Sequence, residues 1–108
     1  MEYINRIELQ GIIGQVHVQQ VAQQTVVRFS LMTERIFQNR NGELTVETTW
    51  VNVTAWQGDS MPNLSTLERG ACVHVSGRLR ARTYTDDNGG TRTFYEVIAA
   101  GVHLLNEP

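Results

Sequence analysis

The clearest pattern in the chain runs over Thr48-Thr49-Trp50-Val51-Asn52-Val53-Thr54-Ala55-Trp56. Small apolar residues recur there at every second position, the signature of a half-buried strand. Val51, Val53 and Ala55 fall on one face; Trp50, Asn52, Thr54 and Trp56 fall on the other. Small aliphatic residues suit the core side, so both tryptophans of the chain are predicted to face outward. Large aromatics on a polar face need a cover, which another subunit, a ligand or a nucleic-acid base would supply.

The same alternation predicts four further strands. Asn5 to Val18 places Ile7, Leu9, Gly11 and Ile13 on one side and Arg6, Glu8, Gln10 and Ile12 on the other, with Gly11 and Gly14 as bulge or bend positions. Gln19 to Gln24 is polar without alternation and is predicted to be a connection. Thr25 to Arg35 puts Val27, Phe29 and Leu31 inside and Arg28, Ser30 and Met32 outside. Arg40-Asn41-Gly42 is a turn signal, followed by a third strand over Leu44 to Trp56. Ala71 to Tyr84 is the fourth strand, with Val73, Val75, Leu79 and Ala81 inside and His74, Ser76, Arg78, Arg80, Arg82 and Tyr84 outside. Asp86 to Gly90 is a hairpin turn, and Arg92 to Leu105 is the fifth strand, with a kink expected at Gly101. Between the third and fourth strands, Gly58 to Gly70 is the one helical candidate. Met61, Leu64 and Leu67 recur at three-residue spacing, Asp59 or Ser60 can cap, and Gly70 ends the element.

Five strands with one short helix between the third and fourth give an all-β chain in the order of the oligonucleotide/oligosaccharide-binding (OB) fold, a partly open Greek-key barrel. A length of 108 residues fits one domain with a modest core. The domain is expected over 1–105, with 106–108 a short C-terminal end.

Charge changes this picture less by its sum than by its kind. The formal net charge is -2, so no global basic excess attracts a polyanion. Every cationic side chain other than histidine is arginine, which pairs with phosphate and also stacks on aromatic rings. Arg78, Arg80 and Arg82 are clustered, with Arg28 and Arg69 as further phosphate candidates. Asp86 and Asp87 repel a phosphate backbone, so a bound strand is expected to avoid that turn. Cys72 stands alone, which excludes an intrachain disulfide and fits a reducing compartment. His17, His74 and His103 are scattered without ligand spacing, so no metal site is expected. No nucleophile motif, carboxylate cluster or phosphate-cradling loop points to catalysis. No segment reads as a signal peptide or membrane span, so a cytoplasmic protein without a cofactor is expected.

Several stretches, in this order, resemble the bacterial single-stranded DNA-binding protein (SSB) family. Asn5-Arg6-Ile7-Glu8-Leu9-Gln10-Gly11 is similar to the family's opening strand, and Trp50-Val51-Asn52-Val53-Thr54-Ala55-Trp56 to its third. Leu67-Glu68-Arg69-Gly70 and Val73 to Arg82 resemble its helix end and fourth strand, and Thr83-Tyr84-Thr85-Asp86 stands where the family has an aromatic before the last hairpin. The resemblance implies sequence-tolerant binding of single-stranded DNA in replication, recombination or repair, without catalysis. It implies base stacking on Trp50, Trp56 and Tyr84. A fourth stacking position falls on Ile36, where neighbouring Phe37 is the candidate substitute. Asn39, Asn52, Gly58 and Thr83 stand uncharged where the family has basic residues.

The resemblance also implies a homotetramer, with a homodimer as the alternative. The family's acidic, hydrophobic-tipped tail has no counterpart in this sequence, so tail-mediated recruitment of repair enzymes is not expected. The acidic balance and that departure leave a second class of function open. It is an OB-fold protein-interaction subunit of primosome or mobile-element type, with weak or no DNA binding.

Overall fold

The computed structural model describes residues 1–105; the C-terminal end expected at 106–108 lies outside the described residues. Five strands, β1 (Ile7–Val21), β2 (Gln24–Gln38), β3 (Leu44–Trp56), β4 (Cys72–Thr85) and β5 (Thr91–Leu105), form a closed barrel in the order β1-β2-β3-β5-β4. The described residues thus form the all-β OB barrel predicted from the order of elements. Neighbours pair antiparallel except at the seam between β3 and β5, where only Val53↔Val97 and Thr54↔Ile98 are in parallel register.

The inward positions behave as the alternation predicts. Ile13, Val27, Phe29, Leu31, Val53, Ala55, Val73, Val75, Val97 and Val102 are buried in one cluster, against which Ile7, Leu9, Val16 and Val51 pack. Each fully buried aliphatic of this size contributes about 1.5–3 kcal/mol of transfer free energy, and this apolar interior is what favours closure. Two bulges keep the pattern in phase. An extra β1 residue lies between Ile13 and Val16, so both face inward on either side of Gly14. An extra β5 residue, Ala100, lies between the pairs Gly77↔Ala99 and Ser76↔Gly101, so Ala99 and Val102 are both buried. The expected kink at Gly101 is therefore a bulge one residue earlier.

Three predicted features differ from the structure. Gln19 to Gln24 is not a loop: β1 continues to Val21, and a two-residue turn, Ala22 and Gln23, reverses the chain with φ of 50° and 69°. This is hairpin-turn geometry built without the glycine or asparagine that usually signals it. The helical candidate contracts to a single 3-10 turn over Leu64–Thr66, capped by Asn63, whose side chain accepts from the Ser65 N–H, rather than by Asp59 or Ser60. Leu64 and Leu67 still enter the core as their spacing predicts, with Met61 packed against it. Leu79 and Ala81 have inward parity but are exposed. Beyond Gly77, β4 is in register with β5 alone and the pair runs on as an arm, so Leu79, although paired with buried Val97, and Ala81 lack a second neighbouring strand. A second arm is formed by β2 and β3 beyond Met32 and Trp50.

Close backbone approach fixes where the β4–β5 arm leaves the barrel. A side chain at Gly77 would drive its Cβ into the Ile98 carbonyl oxygen, and backbone atoms cannot give way cheaply. The Asn5 side chain clamps the next stretch of β4, donating to the Leu79 carbonyl at 2.7 Å and accepting the Leu79 N–H at 2.9 Å. Gly77→Ala is expected to destabilise the fold by about 1–3 kcal/mol, the usual overpacking range. Urea unfolding monitored by circular dichroism checks this, and an unchanged midpoint would show that the β4–β5 contact relaxes freely.

Candidate nucleic-acid interface

The outward faces of β1, β2 and β3 form one surface, ordered in rows by the strand register. Trp56 stands opposite Val26, which stands opposite Gln19; Thr54 is opposite Arg28, and Arg28 opposite His17. Asn52 pairs with Ser30, whose hydroxyl accepts the Gln15 N–H at 2.9 Å, and Trp50 pairs with Met32, which pairs with Ile12. The two tryptophans therefore lie on one face of one strand, about 20 Å apart along it at the strand rise per residue, with two polar rows between them. Trp50 is 59% exposed and Trp56 39%. The Trp50 ring lies against Gly14, where a Cβ would collide with it, so the β1 bulge makes room for the indole. Val26 is fully buried on this outward face, in the row of Trp56.

Between the tryptophan rows runs a groove of about 310 Å³. Arg28, Ser30, Asn52 and Thr54 line its sheet side, and Arg82, Phe94 and Glu96 of the β4–β5 arm line the other. The arm reaches this face because the β3–β5 seam sets Thr54 beside β5, and the Thr54 hydroxyl donates to Glu96 Oε2 at 3.4 Å. Above the groove the arm carries an aromatic cluster. Tyr84 and Phe94 meet edge to face with centroids 5.9 Å apart, and the Arg82 guanidinium sits 5.3 Å from the Phe94 ring centroid. Such an edge-on pair holds both rings in place while leaving ring surface open to stacking.

The structure separates the predicted site residues into groups. Trp50, Trp56, Arg28, Arg82 and Tyr84 share the outward surface of the groove and its arm. Phe37 does not join them. It has the opposite parity on β2, opposite Thr45, and its ring takes the Arg35 guanidinium at 4.9 Å from the centroid. Ile36 has the tryptophans' parity and is highly exposed, opposite the exposed Val46. Arg80 is on the groove face but forms an ion pair with Glu96. Arg69 lines a neighbouring cleft that shares Gln15 and His17 with the groove. Arg78 stands apart, in a shallow depression with Arg6, Ser76 and Ile98. Arg28 hydrogen-bonds the exposed Gln19 side chain, a neutral partner that leaves its charge uncompensated.

Two site residues escape a reading by strand parity alone, Phe94 and Glu96. A signal for both was present: counting back from the hairpin pair Thr85↔Thr91 sets Phe94 opposite Arg82 and Glu96 opposite Arg80. At the tip of the arm, the Arg92 guanidinium and then the Gly90 N–H hold the Asp86 carboxyl below its ordinary pKa. That tip therefore stays anionic and is a poor path for a phosphate backbone. Among the described residues, no three His, Cys, Asp or Glu side chains gather in a metal-binding arrangement.

Comparison with known proteins bears on the fold and the family. The solved structure of a Plasmodium falciparum SSB in complex with ssDNA superposes with a TM-score of 0.83, covering 98% of each chain at 24% identity. A deletion variant of the Thermus aquaticus single-stranded DNA-binding protein gives 0.78, covering 95% of this chain and 51% of the other at 19% identity. At these identities the likeness is one of fold. Single-stranded DNA-binding protein 2 of Listeria monocytogenes is 36% identical over 81 residues, 74% of this chain and 49% of its own length. The Neisseria meningitidis single-stranded DNA-binding protein is 29% identical over 82 residues, 76% of this chain and 47% of its own. The chain thus spans about half the length of these curated relatives. The model of the single-strand binding protein family matches residues 4–105, nearly the whole described chain, and the chain belongs to that family.

Proposed function

We propose that this chain binds single-stranded DNA without sequence preference and without catalysis, in replication, recombination or repair. The observation that carries this reading is the pairing of two exposed tryptophans, Trp50 and Trp56, on one strand face with an arginine-lined groove between them. The names of the relatives and the bound strand in the Plasmodium falciparum structure support it.

On this reading an extended strand crosses the outward face of β2 and β3. Bases stack on Trp50 and Trp56 and, at the arm, on the Tyr84–Phe94 pair. Each base–aromatic stack is worth about 1–3 kcal/mol and tolerates any base, because every base has a π-face. Arg28 and Arg82 meet phosphates in the groove, and Arg69 extends the cationic path over the adjoining cleft. Arg78 is placed for a strand that leaves the groove and wraps round the barrel.

Wrapping needs several copies, and the chain is suited to self-association as a tetramer, with a dimer as the lesser assembly. The β1 residues Ile7–Gly11 are in register with β4 only; pairing with β2 begins at Ile12. Apart from Gly11, which abuts the Met32 backbone, the other edge of that half-strand has no partner strand among the described residues and can take a second copy across a two-fold axis. Several linked sites give one long strand an avidity that a domain of net charge -2 lacks alone.

Trp56→Ala is expected to weaken oligo(dT) binding by about 1–3 kcal/mol with the fold retained, measured by anisotropy of a labelled strand. Unchanged affinity in a folded variant removes base stacking on Trp56. Sedimentation equilibrium should give a tetramer mass at micromolar protein, and a concentration-independent monomer would contradict the wrapping account.

A further inference from the structure

Glu96 is a carboxylate in a place where a polyanion-binding groove has no obvious use for one. It lines the groove, yet its side chain is only 5% exposed. Oε1 is taken by the Arg80 guanidinium, and Oε2 accepts from the Thr54 hydroxyl and lies 4.0 Å from Arg82. Both oxygens are thus committed across the β3–β5–β4 seam. We infer that Glu96 is a built-in counter-anion that withholds Arg80 from phosphate and so limits the affinity and salt dependence of single-strand binding. This rests on the reading of the groove as the single-strand site.

The two arginines beside Glu96 are not equivalent. Arg80 is in direct contact with the carboxylate, and a phosphate that drew it away would leave a buried charge without its partner, which is strongly unfavourable. Arg82 is at 4.0 Å, too long for a hydrogen bond, and rests on the Phe94 ring instead. Arg82 can therefore turn to a phosphate without stranding Glu96. The seam then has a division of labour: Arg80 neutralises Glu96, and Glu96 fixes the arm on which Arg82, Phe94 and Tyr84 ride. The net result is a groove that holds a strand chiefly through its bases, with one arginine fewer available to phosphate than the sequence suggests.

The test is an oligo(dT) titration of the full chain over a range of salt concentrations, comparing the native protein with Glu96→Gln and with Arg80→Gln/Glu96→Gln. Glutamine keeps the size and hydrogen-bonding capacity of Glu96 and removes its charge. Glu96→Gln should bind about tenfold tighter, the scale of one added charged hydrogen bond. Its log–log salt slope should steepen by about 0.7, the share of one phosphate on a single strand. The double variant should return to the native slope, since it removes a pair that contributes no net charge. A folded Glu96→Gln with native or weaker affinity and an unmoved slope overturns the inference. So does a double variant whose slope is flatter than native by about 0.7, which would mean that Arg80 meets phosphate in the native protein. If Glu96→Gln does not fold, the double variant decides alone. Native protein that fails to bind oligo(dT) overturns the single-strand reading itself, an outcome distinct from native binding with the variants out of line.

Discussion

Val51, Val53 and Ala55 have to face the interior, because with Val27, Phe29 and Leu31 they supply the apolar lining of one wall of the barrel. Successive residues of a strand point to opposite sides, so that inward demand puts Trp50, Asn52, Thr54 and Trp56 outside. The same register carries Arg28 and Ser30 of β2 to the rows between the tryptophans. The candidate interface is thus the reverse side of the core. Disturbing one phase disturbs the other, since a one-residue slip would bury both indoles and expose the valines.

The barrel closes at its weakest junction, two parallel residue pairs between β3 and β5, and the candidate site lies across that junction. Thr54, Glu96 and Arg80 form a polar seam from β3 through β5 to β4 at the place where backbone pairing is sparse. Closure and the candidate site therefore share residues. Polar groups buried on the outside of the barrel hold the arm that supplies Arg82, Phe94 and Tyr84 to the groove.

Much of this was legible in the sequence where the determinants are local. Alternation in β2 and β3 sorts inside from outside, Gly14 marks a bulge, and the spacing of Met61, Leu64 and Leu67 identifies the cap of the core even though the helix shrinks to one turn. What was not legible depends on partners far away in sequence. Leu79 and Ala81 have core parity but lie beyond the last β1 pair, a matter of how far β1 extends rather than of their own pattern. Ala22 and Gln23 adopt left-handed angles that the flanking ladder imposes and no glycine announces. Phe37 and Ile36 differ by one residue and so by a whole face; the alternation separates them, and only the fold shows which face matters. Arg80 looks the same as Arg82 until the β5 register sets Glu96 opposite one and Phe94 opposite the other.

Whether unpaired DNA covers the exposed indoles decides the proposed function. Titrating the protein with oligo(dT) while following tryptophan emission, with duplex DNA as competitor, addresses this directly. Stacking on Trp50 and Trp56 predicts strong, saturable quenching that duplex does not reproduce. Emission that stays constant through a stoichiometric excess of oligo(dT), or quenching that duplex matches, would contradict it.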